Sequence, residues 1–264
     1  VQRKRLSREV ESLREEIVSL RRHFHSRPEA CFRETETAGF IARYLKNLGL
    51  SVTENVAGTG VCALLEGEKP GKTLLYRADM DALEMEEESG LPYRSTRKGF
   101  AHSCGHDAHM AVALVAARVL AGRKKELRGS VKFVFQPCEE SIPGGALAMI
   151  RAGVLENPPI DAVLGLHVWQ ELPSGAVGIT AGPAFASIDL VTLKVRGKGG
   201  HGATPQLAVD PILISAHIIT ALEAVVSRET DPLEKKVLTF GELHAGTACN
   251  VIPETAVLRG TLRC

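Results

Sequence analysis

A chain of 264 residues, 44% hydrophobic and 24% charged, has ample apolar material for a core, which excludes a disordered chain and a fold held together by metal alone. The formal net charge of +1 sets aside a dedicated nucleic-acid or acidic-surface binder. There is no signal-like segment and no apolar run near roughly 18 residues, and the cysteines at 31, 62, 104, 138, 249 and 264 show no CxxC pair or paired spacing, so a reduced, cytoplasmic setting without a membrane partner is expected.

Leu6, Val10, Leu13, Ile17, Leu20 and Phe24 fall at helical spacing with charges between them, which predicts a helix over residues 6–25 that ends before Pro28. A second helix is expected over 35–48, with Ala38, Ile41, Ala42, Leu45 and Leu48 on its face and Gly49 as its stop. Short β-rich runs follow at 50–56, 60–65 and 73–78. Residues 107–121 read as helix, 130–136 as strand, about 144–152 as helix and about 161–167 as strand. Strands alternating with helices predict an α/β sheet buried on both faces.

The texture changes after Pro183. A long alternating strand over 187–196 leads into the glycine-rich GKGGHGATP, and a helix begins at Asp210-Pro211, a good N-cap followed by proline at the first helical position. Strands are expected at about 236–243 and 255–263. This β-α-β-β order resembles the front of a ferredoxin-like α+β domain, which needs a further helix and strand. The expected organisation is two domains, 1–184 and 185–264, the second of them incomplete.

The stretch His102-Ser103-Cys104-Gly105-His106-Asp107-Ala108-His109 follows RADMDAL (77–83), which lies at the end of a predicted strand. Open α/β sheets place their sites at carboxyl strand ends, and thiolate with imidazole suits zinc and its neighbours. Two readings stand for this turn: a metal site, or polar residues capping the following helix with Asp107 at its N-terminus. Glu139-Glu140 directly follows the strand ending at Gln136-Pro137, and such a pair either sits solvated at the surface or divides labour between metal and proton. His167 ends another apolar strand, as a buried hydrogen-bonded side chain or a ligand. His201 lies among glycines that admit close approach of a ligand, and Asn250 precedes Pro253; both also fit plain turns.

Together RRHFHSRPEACFRET (21–35), LLYRADMDAL (74–83), AHSCGHDAHMAVAL (101–114), FQPCEES (135–141), GLHVW (165–169), GKGGHGATP (197–205) and NVIPETAVLRGTLR (250–263) resemble, in order and from end to end, the amidohydrolase branch of the M20 metallopeptidases. That branch includes hippurate hydrolases, N-acetyl-amino-acid deacetylases and auxin-conjugate hydrolases. The resemblance implies a zinc-peptidase-like catalytic domain with a mixed central sheet flanked by helices, over 1–184, and a partial ferredoxin-like lid over 185–264. It implies Cys104, His106, Glu140 and His167 as ligands of two divalent metal ions (zinc, manganese, cobalt or nickel) and Glu139 as general base. By the same route His201 steadies the developing oxyanion, sometimes from a partner subunit, Asn250 contacts substrate, and Asp81 and Asp107 orient ligands or loops.

The implied reaction is hydrolysis of the amide of small N-acyl amino acids, in a possible homodimer formed through the lid. Relatives have one further metal-ligating histidine after the lid, for which this sequence offers no candidate, so the chain is expected to lack a C-terminal portion. Glu84 stands where relatives often have proline, and Arg27 where a second histidine is frequent. Three alternatives remain: a catalytically incomplete binding protein of the same shape, a peptidase for di- and tripeptides, and a thiol enzyme with Cys104 paired to His106.

Overall fold

The helical pattern of the first 25 residues resolves into two helices, α1 (Gln2–Ser12) and α2 (Arg14–His25), which meet at Leu13. The apolar spacing runs straight across that joint, so periodicity could not reveal it; Leu13 leaves helical geometry at φ −98° and ψ 8°. The computed structural model describes residues 2–264, with side chains from Leu6 onward. Two units divide the chain, the first ending at Pro173 and the second spanning Ser174–Cys264.

In the first unit α3 (Thr35–Asn47) ends before Gly49, whose φ of 79° is the left-handed turn that glycine adopts freely. Then come β1 (Ser51–Val56), β2 (Gly60–Glu66), β3 (Lys69–Asp79), α4 (His106–Ala121), β4 (Arg128–Gln136), α5 (Gly145–Arg151) and β5 (Ala162–Gly165). β3 starts earlier than its apolar run because Lys69 pairs with Arg128 ahead of a register shift that ends at Thr73. The sheet order is β1-β2-β4-β3-β5, with β1, β2 and β4 antiparallel in turn and β3 parallel to both β4 and β5. It is a mixed central sheet flanked by helices.

Both faces of that sheet are covered, as a mostly buried β4 requires. Phe133 and Phe135 pack with Phe24, Ile41, Leu45, Met110 and Leu114 from α2, α3 and α4. Val134, which points the other way, joins Leu75, Met149 and Val154 on the α5 side. Strand β5 stops at Gly165, two residues short of the expected end, so His167 lies in the loop beyond it.

The second unit is a three-stranded antiparallel sheet, β6 (Ile188–Arg196), β10 (Thr255–Arg263) and β8 (Val237–Ala245), with β10 in the middle. Helix α6 (Pro211–Arg228) packs on all three strands, and the Asp210 side chain caps it by accepting the amides of Ile212 and Leu213. At 18 residues α6 is long and apolar enough to cross a membrane by length and composition, which corrects the reading that no such run exists. Glu223 and Arg228 sit within it, and although it packs on the sheet, Ile212, Leu213 and Val225 stay exposed. A small antiparallel pair, β7 (Gly200–His201) with β9 (Val251–Ile252), went unpredicted because two-residue strands carry no periodicity.

The cysteines also differ from expectation. Cys31 and Cys138, 107 residues apart, form a disulfide between the loop after α2 and the loop after β4. No local spacing motif announces a pair so far separated in sequence.

Candidate metal centre

Because β3, β4 and β5 run parallel, their carboxyl ends lie on one edge of the sheet. Asp79 and Asp81 come from the end of β3, Glu139 and Glu140 from the loop after β4, and His167 from the loop after β5. Cys104 and His106 sit where α4 begins. Two tight turns deliver these side chains: Cys138 adopts φ 49° just before the glutamates, and Gly105 adopts φ 88° between Cys104 and His106. Gly105 also has no room for a side chain, since a Cβ there would lie 2.2 Å from Val168 Cγ2.

Three donor sets converge, all sharing His106: Cys104 with His167, Glu139 with Glu140, and Asp79 with His109. Cys104 Sγ lies 3.4 Å from His167 Nε2. Glu140 Oε1 and Glu139 Oε2 lie 3.6 and 3.8 Å from His106 Nε2. The buried atoms His106 Nε2 and Glu140 Oε1 have no hydrogen-bond partner, an arrangement that is costly unless something else fills it. A divalent metal fits this thiol, imidazole and carboxylate set.

The tautomers agree with that fit. His106 Nδ1–H donates to the Asp81 carbonyl at 2.8 Å, and His167 Nδ1–H donates to the Val168 carbonyl at 2.7 Å. Each bond leaves Nε2 with its lone pair facing the cluster, the arrangement that metal-ligating histidines adopt. Asp81 does more: its Oδ2 accepts the Glu140 amide at 3.0 Å, so one residue orients a histidine and a glutamate.

Electrostatics follow from crowding. Burial first, and then the neighbouring Glu140, raises Glu139 above the ordinary carboxylate range, the direction a general base needs. Burial lowers His106, but the Asp81 bond and the charges of Asp79, Asp81 and Glu140 outweigh it and raise the net value. Burial and the Glu140 carboxylate push the Cys104 thiol up to about 12. A thiol so placed is no nucleophile at neutral pH, although a bound cation inverts that logic. Its nearest imidazole is also His167, whereas the thiol-enzyme reading paired it with His106.

Two buried residues in this cluster were present in the recognised motifs without a role. His109 Nδ1–H donates to Asp79 Oδ1 at 2.6 Å, and His109 Nε2 accepts the Val168 amide at 3.0 Å. Burial would raise Asp79, yet the His109 bond with the charges of His106 and Arg77 holds it at about 2. The i, i+3 spacing of His106 and His109 on α4 was the available signal. His102 is buried with both ring nitrogens unpartnered, and burial lowers it to about 4.

Asp107 faces α2 instead. Its Oδ2 accepts Arg21 Nε and His25 Nδ1, each at 2.7 Å, and its Oδ1 accepts the Ala108 amide at 2.9 Å. His25 Nε2 reaches Glu87 Oε1 at 3.1 Å. His201 and Asn250 belong to the second unit, where His201 pairs with Val251 across β7 and β9, and the Gly202 amide donates to the Asn250 carbonyl at 2.8 Å.

A sheet edge that gathers thiol, imidazole and carboxylate donors defines an α/β protein with a candidate divalent-metal centre. The model of peptidase family M20/M25/M40 matches residues 75–259. An N-acyl-L-amino acid amidohydrolase of Geobacillus stearothermophilus is 40% identical over 98% of this chain and 69% of its own length. An N-acetyl-L-cysteine deacetylase of Bacillus subtilis is 41% identical over 96% of this chain and 60% of its own length. The crystal structure of the Bacillus subtilis YXEP protein, described as a dinuclear metal binding peptidase from M20 family, superposes with a TM-score of 0.81 at 34% identity, covering 96% of this chain and 65% of that one. The chain belongs to the M20 family, in its amidohydrolase branch, and spans roughly two thirds of the length of these relatives.

Proposed function

We propose that this chain carries the metal-binding and proton-transfer machinery of an amidohydrolase acting on small N-acyl amino acids. The observation that supports it best is the convergence of Cys104, His106, Glu140 and His167 around unpartnered, buried Nε2 and Oε1 atoms, with Glu139 beside them. Bound there, divalent metal supplies a Lewis acid and acidifies water. Glu139, raised by burial and by Glu140, takes the proton from the attacking water and returns it to the leaving amine nitrogen. Asp81 holds His106 and the Glu140 backbone in place throughout. For His201 and Asn250 the reading rests on the family resemblance. The donor set suits zinc, manganese, cobalt or nickel.

The substrate class follows the deacylases among the relatives, and the solved neighbour described as a peptidase favours a second substrate, a short peptide. Elemental analysis of metal per chain, paired with hydrolysis of N-acetyl amino acids and of a dipeptide before and after EDTA, tests both. Bound metal with chelator-sensitive release of the amino acid is the expected result. Bound metal with no turnover on any substrate makes the chain a binding protein of the same shape. A folded chain that takes up no metal overturns the site.

A further inference from the structure

The two histidines whose Nε2 atoms face the cluster are aimed by different means. His106 is fixed directly by Asp81. His167 sits on an exposed loop beyond β5, and its ring is held only through the backbone of its neighbour: Nδ1–H donates to the Val168 carbonyl at 2.7 Å. Holding His167 therefore comes down to holding Val168. The amide of Val168 donates to His109 Nε2 at 3.0 Å, and its side chain rests against Gly105. An imidazole nitrogen accepts that amide only if the proton sits on the other nitrogen. Asp79 enforces this, since its Oδ1 accepts His109 Nδ1–H at 2.6 Å while Arg77 Nη1 occupies its Oδ2 at 2.7 Å.

We propose that Asp79 and His109 are positioning residues that set the ring orientation and tautomer of His167 through the two polar groups of Val168. The chain of bonds runs from carboxylate to imidazole, to the Val168 amide, and from the Val168 carbonyl to the second imidazole. The chain ends at His167 Nε2, which faces the Cys104 thiol at 3.4 Å. Both nitrogens of His109 and both oxygens of Asp79 are already engaged, so the donor set they form with His106 is not free for an ion as it stands. All members except the His167–Val168 loop are buried, which protects the arrangement from competing water.

The inference rests on the metal reading of His167, and its test separates the two. Ring-nitrogen NMR of the metal-free chain is expected to find His109 and His167 both as Nδ1–H tautomers. His109→Gln keeps an acceptor for Val168 and a donor for Asp79, and preserves the His167 signal. A His167 ring protonated on Nε2 in the parent, or unchanged by His109→Leu, overturns the positioning role whatever the metal does. Chelator competition with Co2+ then reads the consequence. His109→Leu lowers affinity about 10–100-fold in the parent, the usual effect of losing such a support. It lowers affinity no further once His167→Ala is present, and His109→Gln recovers most of the loss. Equal losses in both backgrounds, or the loss of a whole bound ion on His109→Leu alone, would make His109 a ligand or a mere packing residue. A parent chain that binds no Co2+ removes the metal reading and, with it, the purpose of the aim.

Discussion

At the scale of single residues, the site separates groups that hold charge from one that moves it. Glu139 is the more exposed carboxylate of the pair, and the partial burial it does have, with Glu140 beside it, raises it above its ordinary value, the direction a base needs. Glu139→Gln keeps the shape and removes the base. It is expected to retain bound metal while hydrolysis falls by about 10²–10⁴-fold, read by elemental analysis beside an amide-hydrolysis assay. Undiminished turnover in that variant would move the base elsewhere. Metal uptake itself must displace protons. Cys104, at about 12, carries its proton at neutral pH, and His106 is raised above its ordinary value, so both compete with the ion. Calorimetry of Zn2+ binding at pH 7 in buffers of different ionisation enthalpy is expected to show about one proton released from Cys104 and a further fraction from His106. Affinity therefore falls as pH falls. Binding without proton release would exclude Cys104 as a ligand.

At the scale of elements, the first turn of α4 is fastened to α2 by a buried carboxylate, and the sign of its pH dependence can be worked out. The Asp107 bond, working against burial, raises His25, so that contribution is full below about 6.5 and is lost as pH rises through the raised value. Burial works against Asp107, but the His25 bond and the His102 and Arg21 charges lower it, so its contribution is present above about 3.9 and is lost as pH falls through its lowered value. Asp107→Ala removes the carboxylate that Arg21 and His25 share, leaving them Tyr93 and Glu87, and is expected to destabilise the metal-free chain by about 1–3 kcal/mol. The penalty should be largest between about pH 4 and 6.5 and smaller above the raised His25 value, where neutral His25 keeps a hydrogen bond to Asp107 but no charge. Urea unfolding followed by circular dichroism at those values reads it, and a flat profile would show that His25 stays neutral.

These elements also show what was legible in sequence. Helices α3 and α4 and strands β2 and β4 stood out because period and composition agree, and α6 announced itself through Asp210-Pro211. The joint at Leu13 was hidden because amphipathic spacing continues across it. Asp79 and His109 lay inside motifs that drew attention to their neighbours. Their roles depend on a backbone amide 59 residues beyond His109, which no local pattern encodes. The same holds for Arg21 and His25, whose partner Asp107 is 82 residues beyond His25.

At the scale of the whole chain, the Cys31–Cys138 disulfide joins the start of the sequence to the loop that carries Glu139 and Glu140. The two loops are also held without it. Glu34, fully buried, accepts the Cys138 amide at 2.9 Å and the Phe32 amide at 3.1 Å, and takes the Thr59 hydroxyl as well. Loss of the bond should therefore loosen the unfolded chain more than it moves the folded loop. A span of 107 residues puts the chain-entropy effect near the top of the usual range, about 4.7 kcal/mol for a loop of roughly 100 residues, with measured bonds more often at about 2–4. Cys31→Ser combined with Cys138→Ser is expected to lower the unfolding free energy of the first unit by about 2–4 kcal/mol and to leave metal stoichiometry unchanged. Denaturant unfolding and elemental analysis of that double variant measure the two effects separately. A loss of bound metal at unchanged stability would mean that the disulfide, rather than Glu34, sets the position of the glutamate loop.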